Sequence, residues 1–368
     1  MAANRVSSAV VAAPGRDPKS AMPRRPGGTS GLELPILGIG CWAYGGGSYW
    51  GQQSQHSVDA MVRTAIEQGC NFFDTAEAYN AGASEAALGA ALRGVPRDQV
   101  IIGTKISPSH TEPAMLAEHC EASLRRLRTD YIDLYMVHWP ITAHSIRHFS
   151  EAAGATPSVP AAFETLQRLQ REGKIRHIGV SNFGRTKLEE AIATGVSIAV
   201  NELPYSLLTR AIEFEILPFC RAHGIGVLGY MALLQGVLSD RYPRLEDLPE
   251  SRRRTRHFDS RRTPSCRHGL PGAEKETAAA LQTIREIAKR AGLTTSELAL
   301  KWACAREGIT SSLCGARDVA ALRENIQAAR TPPAPAVIAE LNAATQPLLE
   351  LLGPSFDYYE NSANDRTK

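Results

Sequence analysis

The sequence predicts one (β/α)8 barrel over residues 31–350. From Leu34 onward, short apolar runs alternate with helical stretches about eight times, which is the rhythm of a closed parallel barrel of ~250 residues plus insertions. No linker divides residues 31–350. The two longest interruptions, 139–159 and 238–275, both follow strand-like runs. In a barrel that places them on the C-terminal face, where sites are built. A doubly wound open sheet is the competing architecture.

The first run, Leu37–Trp42, breaks into Gly45–Gly47 and the aromatic pair Tyr49 and Trp50. Its Gly38-Ile39-Gly40-Cys41-Trp42-Ala43 fits a dinucleotide fingerprint, but no helix start follows at once to receive a pyrophosphate, so that reading is rejected. Met61, Val62, Ala65 and Ile66 recur at helical spacing within Ser57–Gln68, and Gly69 stops the helix. Strand Phe72–Asp74 and a helix from about Ser84 to Leu92 follow, with Ser84 as its cap. Then come strand Val100–Lys105, helix Met115–Arg128 and strand Ile132–His138. Helix Ala161–Arg171, strand Ile175–Val180 and helix Thr186–Thr194 continue the alternation, as do strand Ile198–Asn201, helix Ile212–His223 and strand Ile225–Gly229. Past the Arg- and Pro-rich stretch 238–272, helices Thr277–Ala291 and Ser296–Arg306 lead to strand Ser311–Gly315 and helix Val319–Ala329.

Composition narrows the function. A formal net charge of +3 on 368 residues argues against a nucleic-acid module, which needs a concentrated basic face. No apolar run is long enough to span a membrane. The seven cysteines are scattered and form no Cys-x-x-Cys, so they read as reduced thiols in a cytoplasmic enzyme. Residues 1–30 carry five basic side chains against Asp17 and are broken by Pro14, Pro18, Pro23 and Pro26. They read as a disordered extension, and residues 351–368 as a tail.

Three successive strands end in Asp74, Lys105 and His138, and Tyr79 follows on the loop after the first. Adjacent parallel strands lie ~4.8 Å apart, so these side chains can converge at the rim. A free phenol, with a pKa near ~10, is a poor acid at neutral pH. A close ammonium lowers that value, Asp74 holds the ammonium, and His138 orients a substrate carbonyl. The set delivers a proton to an oxygen as it gains charge. It contains no nucleophile and no metal cage, so it needs a hydride from a nicotinamide cofactor.

Asp74-Thr75-Ala76-x-x-Tyr79, Gly103-Thr104-Lys105, Val137-His138-Trp139-Pro140, Gly173-Lys174-Ile175-Arg176 and Gly179-Val180-Ser181-Asn182-Phe183 together resemble the aldo-keto reductase family, over about Leu34 to Ala329. The resemblance implies a barrel that binds NADP(H) without a Rossmann fold, with NAD(H) as the alternative. It implies Tyr79 as acid/base, tuned by Lys105 and Asp74, with His138 orienting the carbonyl. Ser181 and Asn182 would hold the nicotinamide carboxamide, and Tyr230 would stack on the ring. Met231, Leu233 and Gly236 would lie along the pyrophosphate. Gly40, Cys41 and Trp42 would border the mouth, with Trp42, Tyr79, His138 and Trp139 facing substrate. Gly315, Arg317, Glu324 and Asn325 would surround the adenosine end. Glu202 stands where the family usually has a carboxamide-contacting Gln; a carboxylate accepts hydrogen bonds but cannot donate them.

The implied activity is reduction of an aldehyde or ketone, including sugars and other polyhydroxylated carbonyls, or the reverse oxidation. A cofactor-sensing binding subunit of the potassium-channel β type is the alternative. A homo-oligomer is left open. The arginines of 252–262, with His144, Arg147 and His148, form either a solvated loop or a lid over phosphates or a polar substrate.

Overall fold

In the computed structural model the described residues are 22–150 and 156–368. The expected disorder of 1–30 therefore falls largely outside them. Residues 22–35 form a hairpin, with β1 (Arg24–Pro26) antiparallel to β2 (Glu33–Pro35). Arg25 donates to the Ile309 carbonyl at 2.6 Å, and Arg24 donates to Asn71 Oδ1 at 3.0 Å. Leu32 and Leu34 are buried with Phe72, Leu134, Met136, Val200, Leu228 and Leu313, so the hairpin plugs the lower end of the barrel.

Eight parallel strands close on themselves: β3 (Leu37–Gly40), β4 (Phe72–Asp74), β5 (Ile101–Ile106), β6 (Ile132–Val137), β7 (Ile175–Ser181), β8 (Ile198–Pro204), β9 (Gly226–Tyr230) and β10 (Ser311–Cys314). The outer layer holds α1 (Gln55–Glu67), α2 (Ala83–Ala91), α3 (Pro113–Leu127), α5 (Val159–Arg171), α6 (Arg185–Ile192), α7 (Ile216–Ala222), α8 (Glu274–Arg290), α9 (Thr295–Ala305) and α10 (Val319–Ala329). Two helices were not expected: α4 (Ala143–Phe149) in the first insertion and α11 (Pro335–Leu352) near the end. The N-terminal signals of α9 and α10 act as the chemistry dictates. Thr294 and Glu297 form a reciprocal capping box, and Asp318 Oδ1 accepts from the Ala321 N–H at 2.9 Å. Ser84 is not a cap. It lies inside α2, where its hydroxyl donates to the Cys41 carbonyl at 2.7 Å, and left-handed Gly82 takes the cap position.

Period-two alternation along the strands builds the site. Phe72, Met136, Val200, Leu228 and Leu313 belong to one buried cluster. Two residues further along each strand stand Asp74, His138, Glu202, Tyr230 and Gly315. Gly103 and Gly179 stand the same distance before Lys105 and Ser181. They leave room for larger neighbours: a Cβ on Gly179 would lie 2.8 Å from Met136 Cγ and 3.0 Å from Val200 Cγ2.

Residues 353–368 fold back over the upper face. Phe356, Asp357, Tyr358, Arg366 and Thr367 are buried. Asp357 receives Arg366 Nε and Nη2, both at 2.8 Å. The Thr367 carbonyl accepts the Gly184 N–H at 2.8 Å, and Tyr358 Oη accepts the Ala211 N–H at 3.0 Å. Arg366→Ala leaves a buried carboxylate unpaired, a change worth about 3–5 kcal/mol. We expect amide exchange across 356–367 to accelerate strongly and the thermal midpoint to fall. Unchanged exchange in that segment would show that the ion pair does not hold it.

Candidate active site

Lys105 is fully buried. Its ammonium donates to Asp74 Oδ1 and Oδ2 at 2.8 and 2.7 Å, to the Thr75 carbonyl at 2.9 Å and to Tyr79 Oη at 3.3 Å. Tyr79 reaches this point because Asn80 and Ala81 take left-handed backbone (φ 51° and 53°), turning the loop into α2. Asn80 Nδ2 fixes the turn by donating to the Trp42 and Tyr44 carbonyls. The His138 ring meets the Tyr79 ring edge-on at 5.6 Å. Strand order and loop geometry thus bring all four predicted catalytic residues together.

Glu202 completes the set. It is 3 % exposed, and its Oε2 lies 3.3 Å from Lys105 Nζ. That oxygen has no hydrogen-bond partner among the described residues. Burial raises the Glu202 carboxyl, the Asp74 charge raises it further and Lys105 opposes both, leaving it at about 8. Burial lifts Asp74 as well, against the pull of Lys105. The direct N–H bonds make Asp74 the ionised member of the pair and leave the proton on Glu202. Burial works against the charge of Lys105, but Asp74 and Glu202 outweigh it, and the ammonium holds its proton above the ordinary lysine range.

The tyrosine departs from the sequence expectation. Lys105 does pull the phenol down, but burial, reinforced by Asp74 and Glu202, pushes it up by more. Tyr79 is therefore protonated at neutral pH, which is the form that can give a proton away. His138 is held neutral by burial and by the charge of Lys105.

The other predicted residues fall into two groups. Asn182, with φ 62°, donates from Nδ2 to the His138 carbonyl at 3.2 Å and to Ser181 Oγ at 3.0 Å. Its Oδ1 accepts the Tyr230 hydroxyl at 2.7 Å. Ser181, Asn182, Tyr230, His138 and Glu202 are thus contiguous. The orphaned Glu202 oxygen and the part-exposed Tyr230 ring fit a nicotinamide carboxamide and ring. Gly40 and Cys41 end β3 beside Asp74, whose carbonyl accepts the Cys41 N–H at 2.8 Å. Met231 and Gly236 have positive φ in the loop after β9, and Leu233 lies between them, part-buried. The second group lies around the end of β10, which pairs with β3. Asn325 Nδ2 donates to the Gly315 carbonyl at 3.4 Å, while Arg317 and Glu324 are exposed.

The mouth is aromatic. Trp42 stacks on Tyr49 at 5.1 Å, meets Trp50 edge-on at 5.4 Å and tilts over Tyr79 at 5.8 Å. Trp139 is 8 % exposed, with the Arg366 guanidinium 3.9 Å from its ring centroid, so the tail covers one face of this predicted substrate residue. The arginine-rich loop divides. Arg252 lies over Trp50, and Arg254 over Tyr49 and Tyr359. Arg256 donates to carbonyls of the tail, whereas exposed Arg261 and Arg262 pair with Asp259. Sequence reasoning missed Asp357, Tyr359 and Arg366 at the rim; the aromatic pair Tyr358–Tyr359 in an otherwise polar tail was the available signal. It also missed the meeting of Glu77, His110 and His119 below the Tyr79 loop.

Fold and sequence relationship define a barrel oxidoreductase. The chain belongs to the aldo-keto reductase family, whose sequence model matches residues 36–346. It is 31 % identical over 328 residues to an NADH-specific methylglyoxal reductase of Escherichia coli, covering 83 % of this chain and 93 % of that protein. It is 33 % identical over 300 residues to the aldo-keto reductase YhdN of Bacillus subtilis, covering 78 % and 83 %. Among solved structures, an aldo/keto reductase of Klebsiella pneumoniae in complex with NADP and acetate superposes with a TM-score of 0.65 at 25 % identity, covering 95 % of this chain and 99 % of that one. Among the described residues, no helix is long and apolar enough to cross a membrane.

Glu202 makes stability depend on pH. Its folded-state value of about 8 lies above the ordinary 4.5, so between these values the native state binds more protons than the unfolded chain, and stability falls as pH rises. We expect thermal midpoints of the wild type to decline through that window relative to those of Glu202→Gln. Parallel profiles would remove Glu202 as the cause.

Proposed function

We propose that the protein reduces an aldehyde or ketone with NADP(H), using Tyr79 as the proton donor. The observation that carries this reading is the Tyr79 hydroxyl 3.3 Å from a buried ammonium that Asp74 holds in place. A bound nicotinamide supplies the hydride. As the carbonyl oxygen gains charge, Tyr79 gives it the phenolic proton, and the Lys105 ammonium stabilises the phenolate left behind. Neutral His138 hydrogen-bonds the carbonyl oxygen and sets its direction toward Tyr79. A protonated Glu202 can donate to the carboxamide oxygen, which an ionised carboxylate could not do. The aromatic wall of Trp42, Tyr49 and Trp50, edged by Arg252 and Arg254, supports a small polyhydroxylated or otherwise polar carbonyl substrate. Methylglyoxal, the substrate class of the Escherichia coli relative, is a small polar carbonyl of that kind.

Tyr79→Phe removes the proton and little else. Carbonyl reduction at saturating NADPH should fall ~10²–10⁴-fold, with cofactor affinity within a few-fold of wild type. Activity near the wild-type level would refute the assignment.

The preference for NADP(H) rests on Arg317 and Asp318. Asp318 is turned into the cap of α10, which leaves the exposed Arg317 as the charge beside a helix N-terminus that attracts phosphate. Arg317→Ala should weaken NADPH by roughly tenfold or more, about 1.4 kcal/mol, and NADH by much less. Fluorescence titration of both cofactors decides it; equal weakening would discard Arg317 as the reader of the 2′-phosphate. NADH specificity in one relative makes NAD(H) the alternative outcome.

A further inference from the structure

Below the Tyr79 loop, three elements bring metal-ligating groups to one point. Glu77 lies on the loop between Asp74 and Tyr79, His110 in the turn after β5, and His119 on α3. Glu77 Oε1 lies 2.7 Å from His110 Nδ1, and Glu77 Oε2 lies 2.7 Å from His119 Nδ1. The two imidazole rings lie with centroids 3.9 Å apart, tilted by 31°, and both Nδ1 atoms meet the same carboxylate. One ligand atom from each residue falls within 4.8 Å of the other two.

We propose that Glu77, His110 and His119 bind a divalent transition-metal ion, with zinc as the natural occupant. Two imidazole nitrogens and one carboxylate oxygen form a donor set suited to zinc, at ~2.0–2.2 Å from the ion, with the fourth position left to water. The exposure of the ligands matches that division: the Glu77 side chain is 6 % exposed, and the imidazoles are 33 % and 31 % exposed. The ion enters from the histidine side. It replaces the protons now shared between Glu77 and the two Nδ1 atoms. The Ser107 N–H, donating to Glu77 Oε1 at 2.8 Å, orients the carboxylate from behind. The ion lies outside the proton-donating site, yet it acts on the same backbone. The Glu77 N–H donates to the Lys105 carbonyl at 3.2 Å, and Ser107 stands two residues beyond Lys105. An occupied site ties the loop between Asp74 and Tyr79 to α3.

The test uses metal-stripped, tag-free protein. Zn²⁺ is titrated in competition with a chromophoric chelator, and Co²⁺ is titrated separately as a spectroscopic probe. We expect one equivalent of Zn²⁺ to bind, each of His110→Gln and His119→Gln to weaken it at least tenfold, and the double variant to lose it. The Co²⁺ complex should show a visible spectrum without a thiolate charge-transfer band, which separates this site from the seven cysteines. Zn²⁺ should raise the thermal midpoint of the wild type and leave that of the double variant unmoved. The proposal is overturned if the folded double variant, checked by circular dichroism, binds as the wild type does. It is equally overturned if the Co²⁺ spectrum carries a thiolate band, or if the wild type binds no equivalent, in which case the cluster is a hydrogen-bonded triad only.

Discussion

A fully buried ammonium is the constraint on which the upper face of this barrel depends. Desolvating a lysine without partners is prohibitive, so everything around Lys105 is arranged to satisfy it. Asp74 accepts through both carboxylate oxygens, the Thr75 carbonyl accepts as well, and the Tyr79 hydroxyl stands at 3.3 Å. Inward alternation delivers Asp74 from β4 and Lys105 from β5, the loop after β4 brings Thr75 and Tyr79, and the apolar layer beneath them excludes water from below. The phenol's position is therefore a consequence of where the ammonium had to go.

The same burial decides where the protons sit. With Asp74 ionised, Lys105 charged, and Glu202 and Tyr79 protonated, the buried cluster is neutral as a whole. Ionising Glu202 or Tyr79 adds a negative charge to a volume with little water to answer it. A second carboxylate next to the lysine therefore acts as a reserve of protonation rather than as another salt bridge. Burial and the Asp74 charge hold the proton on Tyr79 in the same way.

Much of this was legible in the sequence because it is local and repetitive. An apolar run ending in one polar residue, repeated at Asp74, Lys105 and His138, identified the rim, and helix boundaries such as Val319–Ala329 followed from caps and periodicity. The sign of the net shift on Tyr79 was not legible. It depends on burial and on Glu202, which lies on a strand far along the chain. The tail was missed for a related reason: nothing local marks Asp357 and Arg366 as partners, and only the fold buries them against each other. Glu77, His110 and His119 carry no motif spacing, since three separate elements supply them. Single residues whose meaning comes from distant partners are invisible to periodicity.

The seam of the barrel has a consequence for how the chain must be made. β3 has β4 on one side, but its other neighbour is β10, with Ser312 opposite Leu37. The tail closes a similar distance, with Ser145 bonded to the Arg366 carbonyl 221 residues away. During synthesis, then, the first barrel strand emerges early and keeps one edge unpaired until nearly the whole sequence has followed it. An open edge of Leu37-Gly38-Ile39 invites pairing with other chains, and contacts that close such long loops form late. Yield of this protein in a cell should therefore be governed less by how firmly the finished barrel holds than by how well that edge is sheltered while the ribosome is still at work.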